Sequence, residues 1–420
     1  MKNMKTTPIN PKAIKKLEEK YLFQTYKRTD LFFSHGEGAY LYDNEGRRFL
    51  DFLAGISVNS LGYSHPRIVD VITDQGKKLI HCSNLFYHPY QGLLAKKLAE
   101  ISGMSRVFFT NSGTEAIEAA MKISRAYGRK GGSKNKTQNK TQNKTKILSL
   151  KNSFHGRTFG ALSITAQEKY QAPFLPLVPD VEIIEDVTVK ALEKAFSDEV
   201  CALVIEPVQG EGGVFPMKAA FMRAARALCD QYDALLVADE IQCGLGRTGK
   251  WFGFEHFDVR PDVVTLAKSL AAGYPLGAVL GNTKVANILS PGDHGTTFGG
   301  GPLACRLALE VISVIEDERL IENAKKMGDY LKKGIRDIGR NNAAVGEVRG
   351  FGLMLGIELG DIAKEVFDGL LGKGIIANVT HDTVLRLIPP LILDTQQCGE
   401  FLDMLRDVFS NIESARLGQA

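Results

Sequence analysis

The chain has 420 residues, well beyond the roughly 250–300 at which a single hydrophobic core stops growing, so two domains sharing one chain are expected. Apolar residues make up 44% and charged residues 24%, an ordinary globular balance that excludes a disordered, collagen-like or fibrous chain. Lysine and arginine outnumber aspartate and glutamate by only 52 to 48, which argues against a nucleic-acid or anionic-membrane partner and for small-molecule chemistry.

The N-terminal MKNMKTTPINPKAI has basic residues but no apolar segment behind them, and no stretch reaches the ~18 continuous apolar residues that a membrane span needs. A cytoplasmic location is therefore the expectation. Residues 11–23 carry a helical charge pattern, after which AYLYD and RRFLDFL flank Asn44, Glu45 and Gly46 as the two arms of a hairpin. From about 66 to 300, apolar runs alternate with helical stretches: RVFF, KILSL, CALVIE, ALLVADE and DVVTLA. Such alternation predicts an α/β unit, a mainly parallel sheet with helices on both faces, whose ligand lies at the carboxyl ends of the strands. After the helical LACRLALEVISVIEDERL the pattern changes, with VGEVRG and LMLGIEL around Gly350 and Gly352. The expected division is thus 1–65 as an N-terminal arm and hairpin, 66–310 as a large domain, and 311–420 as a smaller α+β domain packed with the hairpin.

One segment interrupts this order. Residues 135–146 read NKTQNKTQNKTK, a polar near-repeat expected to be a solvated loop. Its Asn135, Asn139 and Asn143 begin glycosylation sequons, but with no secretion signal visible they are expected to stay unmodified. The six cysteines are scattered, without a CxxC pair or a histidine cluster at zinc spacing, so reduced core thiols and no metal are expected.

The chemistry concentrates just past the strand ends. RVFF runs into Thr110-Asn111-Ser112-Gly113-Thr114 and a helix on which Ala116, Ala120, Ile123 and Tyr127 recur at helical steps. Ser112 and Glu115 have capping-box spacing. A strand, a small-residue turn and a helix start make either a phosphate cradle or an ordinary capped helix. Glu206, Asp239 and Lys268 end three later strands. A lysine there either pairs structurally with Asp239 or, with its pKa lowered by desolvation, supplies a neutral amine that condenses with an aldehyde. In the second case Asp239 faces a pyridine nitrogen and keeps the ring protonated. The loop Lys151–Thr158 offers Phe154 to stack on a flat ring or to pack the loop, and Arg157 to clamp a carboxylate or to sit in solvent. Gly244, Gly246 and Gly249 imitate a nucleotide-binding glycine motif, but Trp251-Phe252-Gly253-Phe254 follows where a helix is required.

Taken together, NSGTEAIEAA, KNSFHGRT, EPVQGEGGV, ADEIQCGLGRTGKW, AKSLAAGYPLGA, HGTTFGGGPLAC and VRGFGLMLGIEL resemble the class III aminotransferases of fold type I, and among them most closely the acetylornithine aminotransferases. The resemblance implies pyridoxal 5'-phosphate bound to Lys268 as a Schiff base, with the freed amine moving a proton between substrate and cofactor. By it Asp239 pairs with the pyridine nitrogen, Gln242 lies near the ring hydroxyl, Gly113 and Thr114 hold the phosphate, and Phe154 stacks on the ring. Thr297 would reach the phosphate of a neighbouring subunit, implying a homodimer with shared sites. Arg157 would bind the far carboxylate of an ω-amino substrate. Glu206 and Arg386 would form a switch in which Glu206 masks Arg386 until glutamate or 2-oxoglutarate presents its α-carboxylate. The expected reaction moves the δ-amino group of acetylornithine to 2-oxoglutarate, with ornithine, 4-aminobutyrate or succinylated donors as alternatives. A decarboxylase or mutase on the same scaffold, or a binding protein without turnover, are rival readings. Ile117, Gly301 and Tyr63 depart from the residues usual in the family, Asn, Asn and His.

Overall fold

The computed structural model describes residues 10–130, 143–340, 342 and 344–417. The 135–146 segment therefore lies, up to residue 142, outside the described residues.

Seven strands form the central sheet: β1 (Arg106–Thr110), β2 (Lys146–Leu150), β3 (Val181–Ile184), β4 (Val200–Ile205), β5 (Leu235–Asp239), β6 (Val263–Leu266) and β7 (Gly277–Gly281). Their order is β1-β7-β6-β5-β4-β2-β3. β7 runs antiparallel to both its neighbours, and the remaining pairings are parallel. The five apolar runs read from the sequence all become strands. β3 and β7 are additional, and β7, GAVLG, is built from small residues that give little strand signal.

The inner strands β4, β5, β6 and β7 are buried on both faces, and alternate residues serve different helices, as the pleat requires. Ala202 and Val204 of β4 and Leu235 and Val237 of β5 join a core with Ile117, Ala120, Ile123 and Tyr127 of the helix Gly113–Lys130. Leu203, Ile205 and Leu236 face the other way, against Phe221, Met222, Ala225 and Cys229 of the helix Ala219–Gln231. β1, β2, β4, β5 and β6 all finish at one edge of the sheet, so the residues after Thr110, Leu150, Ile205, Asp239 and Leu266 converge there.

The expected hairpin forms, Tyr40–Asp43 pairing antiparallel with Arg48–Asp51. Its second arm then pairs with Ile375–Ile376 from the C-terminal region, Phe52 stacks on Phe401 at 4.3 Å, and Tyr40 donates to Glu400. The C-terminal region carries its own antiparallel sheet of Val348–Phe351, Met354–Glu358, Val384–Leu387 and Asn378–Thr380. The continuous helix Pro302–Asp317 runs through residue 310, the expected end of the large domain. The chain breaks direction at Glu318–Arg319, where Arg319 takes a left-handed conformation before the helix Leu320–Gly339.

Buried Arg247 ties these parts together. Its guanidinium donates to the carbonyls of Leu353 and Pro389, and at 3.4 Å to the Ser60 hydroxyl. Burial pushes it down to about 9. It belongs to the glycine-rich segment that imitates a nucleotide loop, and no helix starts there: residues 241–250 are turns.

Candidate active site

The converging loops enclose a cavity of about 430 Å³ lined by Gly113, Thr114, Phe154, Arg157, Glu206, Glu211, Asp239, Gln242, Lys268 and their neighbours. Among the expected site residues, Arg386 meets this group through Glu211 and Gln242, and only Thr297 lies apart, exposed on the segment before Gly299.

At one end of the cavity is the start of the helix Gly113–Lys130. The expected capping box is half formed: Ser112 Oγ accepts the Glu115 amide at 3.3 Å, but the Glu115 carboxylate accepts from Asn111, one residue further back. The amides of Gly113 and Thr114 are left as the unpaired donors of a helix start, beside the positive end of its dipole. The Thr114 hydroxyl contacts that of Thr158 at 2.9 Å, and Thr158 in turn donates to Glu118. The Lys151–Thr158 loop comes close enough here that Gly156, at φ +134°, would place a Cβ on the Thr114 hydroxyl, so only glycine fits.

Asp239 and Lys268 do not form the ion pair that was one reading of their placement. Asp239 Oδ2 is 2.7 Å from His155 Nδ1, and its other oxygen accepts from the Ile241 amide and the Thr265 hydroxyl at 3.1 and 3.2 Å. Burial alone would depress the His155 imidazole, but the hydrogen bond and charge of Asp239 outweigh it and raise it. The outer Nε2 of His155 is buried without a partner, so the imidazole is committed to Asp239 alone. Lys268 meets no carboxylate at ion-pair distance among the described residues. Desolvation lowers its pKa, and the negative charges of Glu211, Asp239 and Glu206 offset this only in part. A lysine so placed carries a larger fraction of neutral amine than one in water.

The acidic partner of Arg386 is Glu211, not Glu206. Arg386 is 1% exposed. It donates to Glu211 Oε1 at 2.5 Å, to Gln242 Oε1 at 3.2 Å and to Asn378 Oδ1 at 3.1 Å. Burial tends to raise the Glu211 carboxyl, but the charges of Arg386 and Lys268 hold it below its usual value. Glu206 is occupied elsewhere, accepting the amides of Phe154 and Gly210 at 3.0 and 3.3 Å. Burial pushes it up to about 7. The two glutamates are five residues apart in EPVQGEGG, and the short strand Val208–Gln209 carries the chain from the sheet edge towards Arg386.

Arg157 is exposed and lies over the rings of Tyr170, at 3.6 Å from the centroid, and Phe154, at 5.5 Å. Phe154 is half-buried in the cavity wall. The sequence reading assigned no role to Glu211, His155 or Tyr170. The first two were visible in the motifs EPVQGEGG and SFHGRT, whereas Tyr170 lies 13 residues beyond Arg157 and gives no local signal.

The chemistry of this donor set fits pyridoxal phosphate: helix-start amides for a phosphate, an aromatic face beside a flat ring, a fixed carboxylate for a pyridinium, and an amine poised for an aldehyde. Comparison with known proteins agrees. Residues 22–409 match the class III aminotransferase family. The chain is 43% identical to the acetylornithine aminotransferases of Caldanaerobacter subterraneus subsp. tengcongensis and Methanocaldococcus jannaschii, covering 94% of this chain and 98% of each relative. Among solved structures, the ornithine aminotransferase of Toxoplasma gondii is 33% identical with a TM-score of 0.91, covering 97% of this chain and 96% of that one. A second structure of that enzyme is described with partial occupancy of PLP at its active site. The acetylornithine aminotransferase of Elizabethkingia anophelis is 31% identical with a TM-score of 0.84, covering 96% and 100%. A cavity built for an aldehyde cofactor and a family match over most of its length agree that the chain belongs to the class III aminotransferases, enzymes that depend on pyridoxal phosphate.

Proposed function

We propose that this enzyme transfers the δ-amino group of N2-acetyl-L-ornithine to 2-oxoglutarate, giving N-acetylglutamate 5-semialdehyde and L-glutamate, a reaction of arginine biosynthesis. The observation that carries the reading is a pair of arginines around one lysine: Arg157 open at the mouth, and Arg386 buried and neutralised by Glu211. The relatives named acetylornithine aminotransferase support it. Free ornithine is the second reading, because the Toxoplasma gondii structures are of an ornithine aminotransferase.

Bound pyridoxal phosphate supplies an aldehyde for the substrate amine and a ring that draws electrons from the adjacent C–H bond. The Gly113 and Thr114 amides would hold its phosphate, Phe154 would cover its ring, and Gln242 would stand near its ring hydroxyl. Asp239, fixed by His155 and Thr265, would face the ring nitrogen. The Lys268 amine, its pKa lowered by burial, would be the group that takes a proton from the substrate carbon and gives it back. Glutamate offers two carboxylates, one to Arg157 and one to Arg386, and for the second it must displace Glu211. Acetylornithine reacts at a carbon bearing no carboxylate, so Glu211 stays on Arg386 and the buried charge remains compensated.

The working unit is a homodimer in the cytoplasm, with an N-terminal arm, a large domain and a smaller C-terminal domain. Supporting this, Asn84 donates to the carbonyls of Thr296 and Gly299. That contact brings the segment of exposed Leu85, Phe86 and Tyr87 to the segment of exposed Thr297 and Phe298, a cluster of apolar groups open to a partner. No helix among the described residues is long and apolar enough to cross a membrane.

Steady-state rates with 2-oxoglutarate and a panel of acetylornithine, ornithine, succinylornithine and 4-aminobutyrate test the assignment. Acetylornithine is expected to give the highest kcat/KM; a preference for 4-aminobutyrate refutes it.

A further inference from the structure

The geometry points to Tyr170 as the residue that positions the carboxylate-binding fork of this enzyme. Arg157 has no acidic partner among the described residues, and the residue is exposed. A long, flexible cation in that state samples many rotamers, and ordering it costs entropy each time a carboxylate binds. What restrains it here is aromatic. The guanidinium carbon is 3.6 Å from the centre of the Tyr170 ring, closer than any other cation–ring contact among the described residues. Phe154 stands edge-on to Tyr170, with centroids 6.4 Å apart and planes at 85°. The arginine is therefore laid across the corner between the ring proposed to cover the cofactor and a second ring outside it.

Tyr170 is itself held. It lies in the short helix Glu168–Gln171, and the neighbouring Gln171 amide group donates to the carbonyls of Leu162, Ser163 and Thr165 at 3.0, 3.3 and 3.0 Å. Those carbonyls belong to the segment that continues from Arg157 through the helix Phe159–Ser163, so ring and arginine ride on one anchored unit. A guanidinium stacked on an aromatic face has its N–H groups in a plane parallel to the ring, free to make the parallel pair of bonds that a carboxylate accepts. Tyr170 also borders a polar cleft that it shares with Glu211, Asn152, Thr380 and His381, so it stands where a substrate would pass. It touches no reacting atom and acts through Arg157.

This inference rests on the reading of Arg157 as the carboxylate anchor, and the experiment separates the two. Competitive inhibition of the holoenzyme by glutarate is measured for wild type, Arg157→Ala, Tyr170→Ala and Tyr170→Phe, together with KM and kcat for acetylornithine and for putrescine, an amine with no carboxylate. In Tyr170→Ala the glutarate Ki and the acetylornithine KM are expected to rise by about 3- to 10-fold, the size of a partly exposed cation–π contact. Its kcat should stay close to wild type, as for a loss of binding common to ground and transition states, and its putrescine kinetics should be unchanged. Tyr170→Phe, which keeps the ring face, should behave as wild type. If Arg157→Ala leaves the glutarate Ki unchanged, the anchor reading fails. If Arg157→Ala raises it and Tyr170→Ala does not, the role of Tyr170 alone is overturned. Equal losses for putrescine and acetylornithine, or a Tyr170→Phe as weak as the alanine variant, would show a merely structural ring and also overturn it.

Discussion

Replacing Glu211 by Gln should convert the buried Arg386 from a masked to a standing carboxylate site. The fold should survive the change, because Arg386 keeps Gln242 and Asn378 as partners, and the Glu211 backbone is held through its carbonyl by the Thr380 hydroxyl at 2.6 Å. What is lost is the charge on one hydrogen bond. The difference between a charged and a neutral hydrogen bond is about 1–2 kcal/mol, which corresponds to about 5- to 30-fold in binding. Glutamate no longer has to displace an anion, whereas acetylornithine now binds beside an uncompensated cation, so both effects act in one direction. The ratio of kcat/KM for glutamate to that for acetylornithine, measured in the separate half-reactions by absorbance of the cofactor, should rise by about that factor. Glu206→Gln serves as the control and should leave the ratio near wild type. An unchanged ratio in Glu211→Gln, or a shift produced by Glu206→Gln instead, would refute the assignment of the switch to Glu211.

Two other outcomes are expected. Asp239→Ala should retain some cofactor yet slow turnover by at least ~10²-fold, the usual loss on removing a positioned electrostatic group, and a near-normal rate would remove Asp239 from the mechanism. Glu240 is buried against the amides of Gly253 and Phe254, and burial pushes it up to about 7 from an ordinary 4.5. The folded state thus holds a proton there that the unfolded chain has released, so this contribution to stability is full below about pH 4.5 and is lost as pH rises towards 7. Thermal unfolding of Glu240→Gln should accordingly fall less than wild type between pH 5 and 8; parallel profiles would contradict this.

The parts of the fold legible in the sequence are those set by burial on two faces. The runs containing Leu148, Leu203, Leu236 and Val264 could only be central strands, and the ionisable residues just beyond them had to meet at one edge. β7 escaped because glycine and alanine fit an interior strand without advertising it. The expected boundary at 310 falls inside the helix Pro302–Asp317, which stays apolar across it, with Leu307, Val311 and Ile315 all in one core. The mistaken partner of Arg386 has another cause. Sequence spacing locates a backbone along a strand but says nothing of how far a glutamate reaches, and the strand-end Glu206 is taken by two amides while the later Glu211 extends across to Arg386 on the strand Val384–Leu387. Tyr170 was invisible for a related reason, since the contact it makes with Arg157 depends on a turn in the intervening chain and not on any periodicity.

The reversed direction of β7 limits how the Lys268 amine can move. Lys268 sits in the return between β6 and β7, which are hydrogen-bonded neighbours, so residues 267–276 are tethered at both ends to adjacent rails of the same sheet. Ser269, the next residue, is pinned by its hydroxyl to the Ser57 carbonyl at 2.8 Å and accepts from Ser60 at 2.6 Å. The main chain there has almost no travel available, and the amine can swing only by the length of its own four methylenes. The amine proposed to carry the proton is thereby kept on a short leash above one spot of the cavity, with no loop that would have to reopen.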